Sequence, residues 1–168
     1  RRSSDLDHKT LPKWAPRWSE PEGEYKFSTV ITRAPWHIHA DPNFLNNPAL
    51  KPLTQQNYID CVWIHPDAAA EQGINEGEWV VLETNPRYMQ KEPRPVRAKV
   101  HISTRVGRKD CVLLFHGMGY RIKDLRVAKD LGYRDGDLIP QKDPEIVKKH
   151  DPTGMGWVED VYVRIRKG

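Results

Sequence analysis

The stretch Cys61–Leu82, CVWIHPDAAAEQGINEGEWVVL, carries the sharpest structural signals in the chain. It begins with residues that favour a β-strand, and this run ends just before Pro66. Proline suits the first position of a helix, because its missing N–H has no partner there in any case. Asp67 adds a negative charge where the helix dipole favours one, and Gly73 suits the left-handed residue that ends a helix. The pattern predicts a strand and then a short helix over Pro66 to Gln72.

The second half of this stretch predicts a return to β-structure. Asn75 to Gly77 is typical of a turn, and Glu78 to Thr84 forms a second β-rich run. The whole unit is too short for a parallel crossover through a long helix. It therefore indicates a β-barrel in which a short helix fills a corner.

The rest of the chain predicts four further strands, at Phe27 to Thr32, Val96 to Ile102, Val112 to Phe115 and Val158 to Arg166. The second of these alternates apolar and polar residues, whereas the third is a continuous apolar run that is typical of a strand buried on both faces. Two long loops, over Arg33 to Pro52 and Gly117 to Pro152, separate them. About six strands with little helix indicate a small closed barrel with functional loops at one end.

The composition narrows the class of protein. A chain of 168 residues is one domain by size, and its net charge of +4 is scattered rather than concentrated in a stripe for nucleic acid. No apolar run is long enough to span a membrane. Cys61 and Cys111 each open an apolar run and belong to no C-x-x-C pair, so we expect buried free thiols rather than a zinc or iron–sulfur site. A disulfide between them stays open, because it depends on which strands are neighbours. The compartment, periplasmic or cytoplasmic, stays open.

The first 26 residues differ from the rest, because they are rich in proline and tryptophan and carry no periodic apolar pattern. We expect residues 1–26 to form an extended wrapping segment and residues 27–168 to form the barrel. The chain begins with Arg1 rather than Met and lacks an apolar signal core. This is typical of a processed product or of a piece of a longer protein. We expect the piece, because residues 1–26 would pack poorly alone.

Four pieces of the chain are TVITRAPWHIHADPNFLNNPAL, VWIHPDAAAEQGINEGEWVVLET, VRAKVHISTRVGRKDCVLLFHGMG and VEDVYVRIRKG. Together they resemble the C-terminal molybdopterin-dinucleotide-binding domain of the dimethyl-sulfoxide-reductase family of molybdenum and tungsten oxidoreductases. The resemblance covers residues 27–117 well and residues 118–168 loosely. It implies a mainly β fold, a six-stranded double-psi β-barrel with short helices and long loops.

The resemblance also implies a cofactor, molybdopterin guanine dinucleotide, and a set of cofactor-binding residues. Arginine and backbone N–H groups suit its phosphates, Asn, Thr and His suit its heterocycle edges, and glycine lets the backbone come close. The residues implied are Thr32, Arg33, Trp36, His37, His39, Asn47, His116, Gly117 and Gly119.

The chain departs from the family in two places. Ala40 stands where a small hydroxyl residue often follows the loop histidine, and the segment Arg134 to Leu138 lacks the asparagine expected before the final strand. No cofactor contact is predicted in that segment. His37 and His39 lack a third ligand nearby, so no metal site is predicted. The family's metal-ligand residue lies outside this domain, so the chain is expected to bind the cofactor and make no bonds itself.

Several other side chains are expected to have structural roles. His65 is predicted to cap the short helix or pack against it. Trp63 and Trp79 are predicted core residues, and His101 is predicted to face solvent from the polar side of its strand.

The function that follows is a cofactor-clamping domain of a larger molybdenum or tungsten oxidoreductase of anaerobic respiration. Its expected partners are the remaining domains of the catalytic subunit and an iron–sulfur electron-transfer subunit. The branch that reduces thiosulfate, polysulfide, tetrathionate or arsenate is favoured, while the substrate and the metal stay open. One alternative is a free-standing cofactor-binding subunit, as in formylmethanofuran dehydrogenase. Another is a double-psi barrel that binds protein or nucleic acid, against which the scattered charge counts.

Overall fold

The computed structural model describes residues 20–37, 45–88, 94–139 and 161–168. Six strands close into a barrel in the order β1-β5-β2-β4-β3-β6. They are β1 (Phe27–Thr32), β2 (Cys61–Ile64), β3 (Trp79–Thr84), β4 (Val96–Ile102), β5 (Cys111–Phe115) and β6 (Tyr162–Lys167). β1 runs parallel to β5 and β2 parallel to β4, and the other neighbours are antiparallel. The prediction of a mainly β, six-stranded double-psi barrel is confirmed.

The predicted short helix, α2 (Pro66–Gln72), is present with the predicted ends. His65 caps its start, since its Nδ1 accepts the Asp67 N–H at 3.1 Å. Gly73, with a φ of 63°, adopts the left-handed conformation that ends the helix. Ala68 and Ala69 are buried, so the helix fills the corner of the barrel with small side chains.

A second helix, α1 (Leu50–Gln56), lies where the sequence predicted a loop that ran to Pro52. That prediction was wrong. Pro52 is the third residue of α1, where a backbone N–H has no partner within the helix, so proline is tolerated. Thr54 is the buried residue of this helix. A helix with no apolar stripe leaves no periodic signal, so the apolar pattern does not reveal it.

The core lies inside the barrel, and its fully buried strand residues are Val62, Ile64, Val80, Leu82, Thr84, Val100, Val112, Leu114 and Val163. β4 alternates as predicted, with Ala98 and Val100 inside and Arg97 and Lys99 exposed. β5 is buried along almost its whole length. The thiols of Cys61 and Cys111 are free and buried. Burial raises the pKa of the Cys61 thiol to about 12, so this thiol is unreactive near neutral pH.

Trp79 is not a core residue, which corrects the prediction from its position. The side chains of Val80 and Leu82 point into the barrel, so the residue before Val80 faces outward. Trp79 is 46% exposed. Arg97 and Lys99 lie over its ring, 5.0 and 5.7 Å from the centroid. The other predicted core tryptophan, Trp63, is buried.

His101 does not simply face solvent, although it lies on the polar side of β4. Its ring stacks on the Tyr58 ring with a centroid distance of 3.9 Å. Its Nδ1 lies 3.0 Å from a carboxylate oxygen of Glu76. The sequence could not show this, because both partners belong to other segments that only the folded barrel brings to β4.

No helix among the residues that the structure describes is both long and apolar enough to cross a membrane. Residues 1–19 of the predicted wrapping segment, and residues 158–160 at the predicted start of the last strand, lie outside the described ranges.

Tyr133 connects the segment before the last strand to the barrel. Its buried hydroxyl accepts the Phe115 N–H at 2.6 Å and donates to the Cys61 carbonyl at 3.4 Å. Tyr133→Phe leaves that N–H buried without a partner, so we expect the free energy of unfolding to fall by about 1–3 kcal/mol. Denaturant unfolding of the variant and of Tyr58→Phe, an exposed control that keeps its ring, measures this. Equal losses in the two variants would contradict the assignment.

Candidate cofactor site

The carboxyl ends of β1 and β5 meet at one end of the barrel. The strands are parallel, with Thr32 opposite Phe115. The His116 N–H donates to the Thr32 carbonyl at 2.8 Å. The segments that begin at Arg33 and His116 therefore start side by side, and we call residues 32–37 and 116–119 the rim.

His37 is a buried polar side chain of the rim. It lies just beyond β1, where its N–H donates to the Ala34 carbonyl at 2.9 Å, and it is 8% exposed. Neither ring nitrogen has a hydrogen-bond partner among the described residues. Burial lowers the pKa of His37, which favours the neutral ring with one donor and one acceptor. Buried polar atoms are normally paired, so this ring suits a polar ligand.

His116 forms a charged pair with a residue that the sequence did not single out. Its Nδ1 lies 2.6 Å from Oδ2 of Asp135, whose side chain is buried. The hydrogen bond that His116 donates to Asp135 raises the pKa of His116, while burial and the positive charge of Arg33 oppose that rise. Arg33 is itself exposed. At the rim, the positive charge of Arg33 therefore lies near His116, whose protonated form Asp135 stabilises.

The two glycines of the rim have different surroundings. Both adopt positive φ, 92° at Gly117 and 78° at Gly119. Gly117 is buried immediately after His116. The Gly119 N–H donates to the Leu131 carbonyl at 2.9 Å. The hydrogen bond of Gly119 is thus with another segment of this chain.

Trp36 and Asn47 connect the first loop to helix α1. The Trp36 Nε1–H donates to the Thr54 hydroxyl at 3.4 Å. Asn47 is exposed, and its Oδ1 accepts the Ala49 N–H at 2.9 Å just before the helix. The ring of Trp36 and the side-chain oxygen of Asn47 thus already have partners within the chain. His39 and Ala40 lie outside the described residues.

Sequence reasoning missed two residues that organise this end of the barrel. Oδ1 of Asn46 accepts the Val127 and Ala128 N–H groups at 2.9 and 3.3 Å, which fastens the first loop to the second. Asp135 lies in the segment where no role was predicted. The sequence holds one signal for Asp135: it follows Leu131 and Tyr133 at a two-residue spacing, and all three residues are buried.

The molydopterin dinucleotide binding domain family matches residues 27–131. This chain belongs to that family. The predicted resemblance is thereby confirmed, and so is the cofactor class, a molybdopterin dinucleotide. No curated protein matches the chain.

Among solved structures, the acetylene hydratase from Pelobacter acetylenicus is similar to this molybdopterin dinucleotide binding domain. The match has a TM-score of 0.61 and 13% sequence identity, and it covers 86% of this chain. At that identity the likeness shows a common fold. The matched region makes up 19% of the hydratase chain, so this chain spans a small part of that protein.

The residues of the rim fit such a cofactor. A molybdopterin dinucleotide offers phosphate oxygens, ribose hydroxyls and heterocycle edges. Arg33 and a protonated His116 suit the phosphates, and Gly117 lets the backbone approach closely. The His37 ring, which has no partner within the described residues, suits a heterocycle edge. Within the described ranges, no group of three or more His, Cys, Asp or Glu side chains is placed to hold a metal ion.

Proposed function

We propose that this chain is the cofactor-clamping domain of a larger molybdenum or tungsten oxidoreductase and that it binds molybdopterin guanine dinucleotide through the rim. The observation that carries the proposal is the buried ring of His37, which has no hydrogen-bond partner among the described residues and follows β1, whose end pairs with the end of β5 before His116. When bound, the cofactor supplies two-electron chemistry at its metal, often with transfer of an oxygen atom. The chain itself binds the cofactor, orients it and shields it from water.

The rim residues divide this work by their chemistry. Arg33 donates charge-assisted hydrogen bonds to phosphate oxygens. His37, neutral because it is buried, pairs with a donor and an acceptor on a heterocycle. Gly117 leaves room for the cofactor against the backbone. Direct contacts from Thr32, Trp36, His39, Asn47 and Gly119 stay predictions.

The wider setting of the chain is part of the same proposal. In this proposal the chain is the C-terminal domain of the catalytic subunit, alone it is not catalytic, and the metal-ligand residue lies elsewhere in that subunit. Its partners are the other domains and an iron–sulfur electron-transfer subunit. The enzyme belongs to the branch that reduces thiosulfate, polysulfide, tetrathionate or arsenate in anaerobic respiration. Residues 1–26 wrap the barrel formed by residues 27–168.

Arg33→Ala tests the rim directly. We expect the purified protein to contain several-fold less cofactor, because a charge-assisted hydrogen bond of about 1.5–3 kcal/mol is lost while the exposed side chain contributes little to folding. Metal content and released guanine nucleotide are measured together with the circular dichroism spectrum. The matched control is Arg105→Ala, since Arg105 is also exposed but follows β4 at the opposite end of the barrel. Unchanged cofactor content in Arg33→Ala would refute the proposal.

A further inference from the structure

Asp135 is the one buried Asp, Glu, Lys or Arg among the residues that the structure describes, with 2% of its surface exposed. A carboxylate removed from water is costly unless a charge or hydrogen bonds compensate it. Its partner is His116, nineteen residues earlier, at 2.6 Å. The hydrogen bond with His116 therefore offsets part of the cost of burying the Asp135 side chain.

The backbone on either side of Asp135 is anchored to the barrel. Two residues before it, the Tyr133 hydroxyl binds the β5 backbone at Phe115. Three residues after it, the Leu138 carbonyl accepts the buried Thr84 hydroxyl of β3 at 2.5 Å. The carboxylate is therefore held in a fixed place relative to the rim, which is what a positioning group requires.

The contact of Asp135 with Nδ1 determines how His116 presents its other nitrogen. A carboxylate at Nδ1 keeps the proton there and favours the imidazolium, in which Nε2 also carries a proton. The His116 side chain is 27% exposed, so the ring is not sealed in the core. Among the described residues, the charged and titratable groups that act on this pair are Arg33 after β1 and the buried Tyr133 behind Asp135.

We propose that Asp135 is a positioning residue for the cofactor: it holds His116 as an imidazolium that donates, beside Arg33, to an anionic oxygen of the dinucleotide. This inference rests on the proposed function. Two neighbouring cations repel each other, and Asp135 together with the anionic ligand balances that repulsion. Without Asp135, Arg33 and burial both favour the neutral ring, and the donated charge is lost.

The proposal predicts how cofactor retention depends on pH. Because the pKa of His116 is raised, the imidazolium and its contribution to retention are present at low pH and are lost as the pH rises through that pKa. In Asp135→Asn the remaining influences lower the pKa of His116. We therefore expect the loss to move to lower pH, and retention near neutral pH to fall about tenfold.

The experiment uses the complete cofactor-loaded protein that contains this chain. Cofactor release is followed as free guanine nucleotide over time, from about pH 5.5 to pH 9. Two further variants change His116. His116→Gln is expected to release the nucleotide faster, with no step in the pH profile. His116→Lys is expected to keep the positive charge and also to show no step. Glu76→Gln is the matched control, because it changes the carboxylate of the His101 pair elsewhere on the barrel.

An unshifted pH profile in folded Asp135→Asn would overturn the inference. If Asp135→Asn does not fold, the pH profile of His116→Gln tests the inference instead. A pH step in His116→Gln like that of the wild type would also overturn the inference. A shift in Glu76→Gln equal to that in Asp135→Asn would also count against it. If the wild-type protein holds no dinucleotide, the proposed function itself fails, which separates the two results.

Discussion

Replacing Gly119 with alanine is expected to destabilise the chain by about 3 kcal/mol or more and to lower its cofactor content. The residue has a φ of 78°, and a Cβ there would lie 2.7 Å from the Arg134 nitrogen and the Tyr133 carbonyl carbon. These are backbone atoms and cannot rotate aside, so the whole segment must move. That movement displaces Asp135 from His116. Thermal unfolding and nucleotide content measure the two effects.

Gly77→Ala is the control for this substitution. Gly77 has almost the same backbone conformation, with a φ of 74°, but a Cβ there meets no atom within 4 Å. It incurs only the conformational penalty of roughly 1–2 kcal/mol. The difference between the two variants isolates the close contact at Gly119. If Gly119→Ala and Gly77→Ala are equally destabilised, the 131–134 segment moves away from the new Cβ at little cost in free energy.

Leu114→Ala is expected to reduce the free energy of unfolding by about 2–5 kcal/mol, because it removes a large side chain from the closed core. Leu114 is fully buried in β5, two residues before His116. The cavity lies beneath the rim, so we also expect weaker cofactor retention. Denaturant unfolding gives the stability change, and nucleotide release gives the second readout.

The same substitution at Leu53 provides the comparison. Leu53 lies in α1 and is 37% exposed, so its loss leaves no enclosed cavity. We expect a change below about 1 kcal/mol. A Leu114→Ala variant no less stable than Leu53→Ala would mean that the barrel interior collapses around the missing side chain.

Much of the fold could be predicted because its signals are local. Pro66 and Gly73 mark the ends of α2 through backbone chemistry that does not depend on distant residues. The alternation in β4 and the apolar run in β5 also predict their burial directly. These signals lie within single segments, and so strand positions and the barrel class follow from them.

The failures involve residues whose environment comes from elsewhere in the chain. The side of β3 on which Trp79 lies depends on which face the barrel encloses, and an apolar side chain does not reveal that. The environment of His101 depends on Tyr58 and Glu76. Helix α1 has no apolar face to reveal it.

In the candidate site, too, some residues could be predicted from the chain itself, whereas others depend on distant partners. The resemblance to a known family pointed to both rim segments, and the parallel pairing of β1 with β5 places their starts together. Spacing along the chain could not have shown this, since Thr32 and His116 meet only through that pairing. Asp135 was missed because its importance depends on a partner nineteen residues away.

The position of β1 between β5 and β6 has a consequence for the order of assembly during synthesis. The Thr29 backbone N–H bonds to the Val161 carbonyl at 2.8 Å, so the first strand is completed by residues made more than a hundred positions later. Until they emerge from the ribosome, one edge of β1 stays open and able to pair wrongly. We therefore expect the barrel to close only after the last strand has been translated.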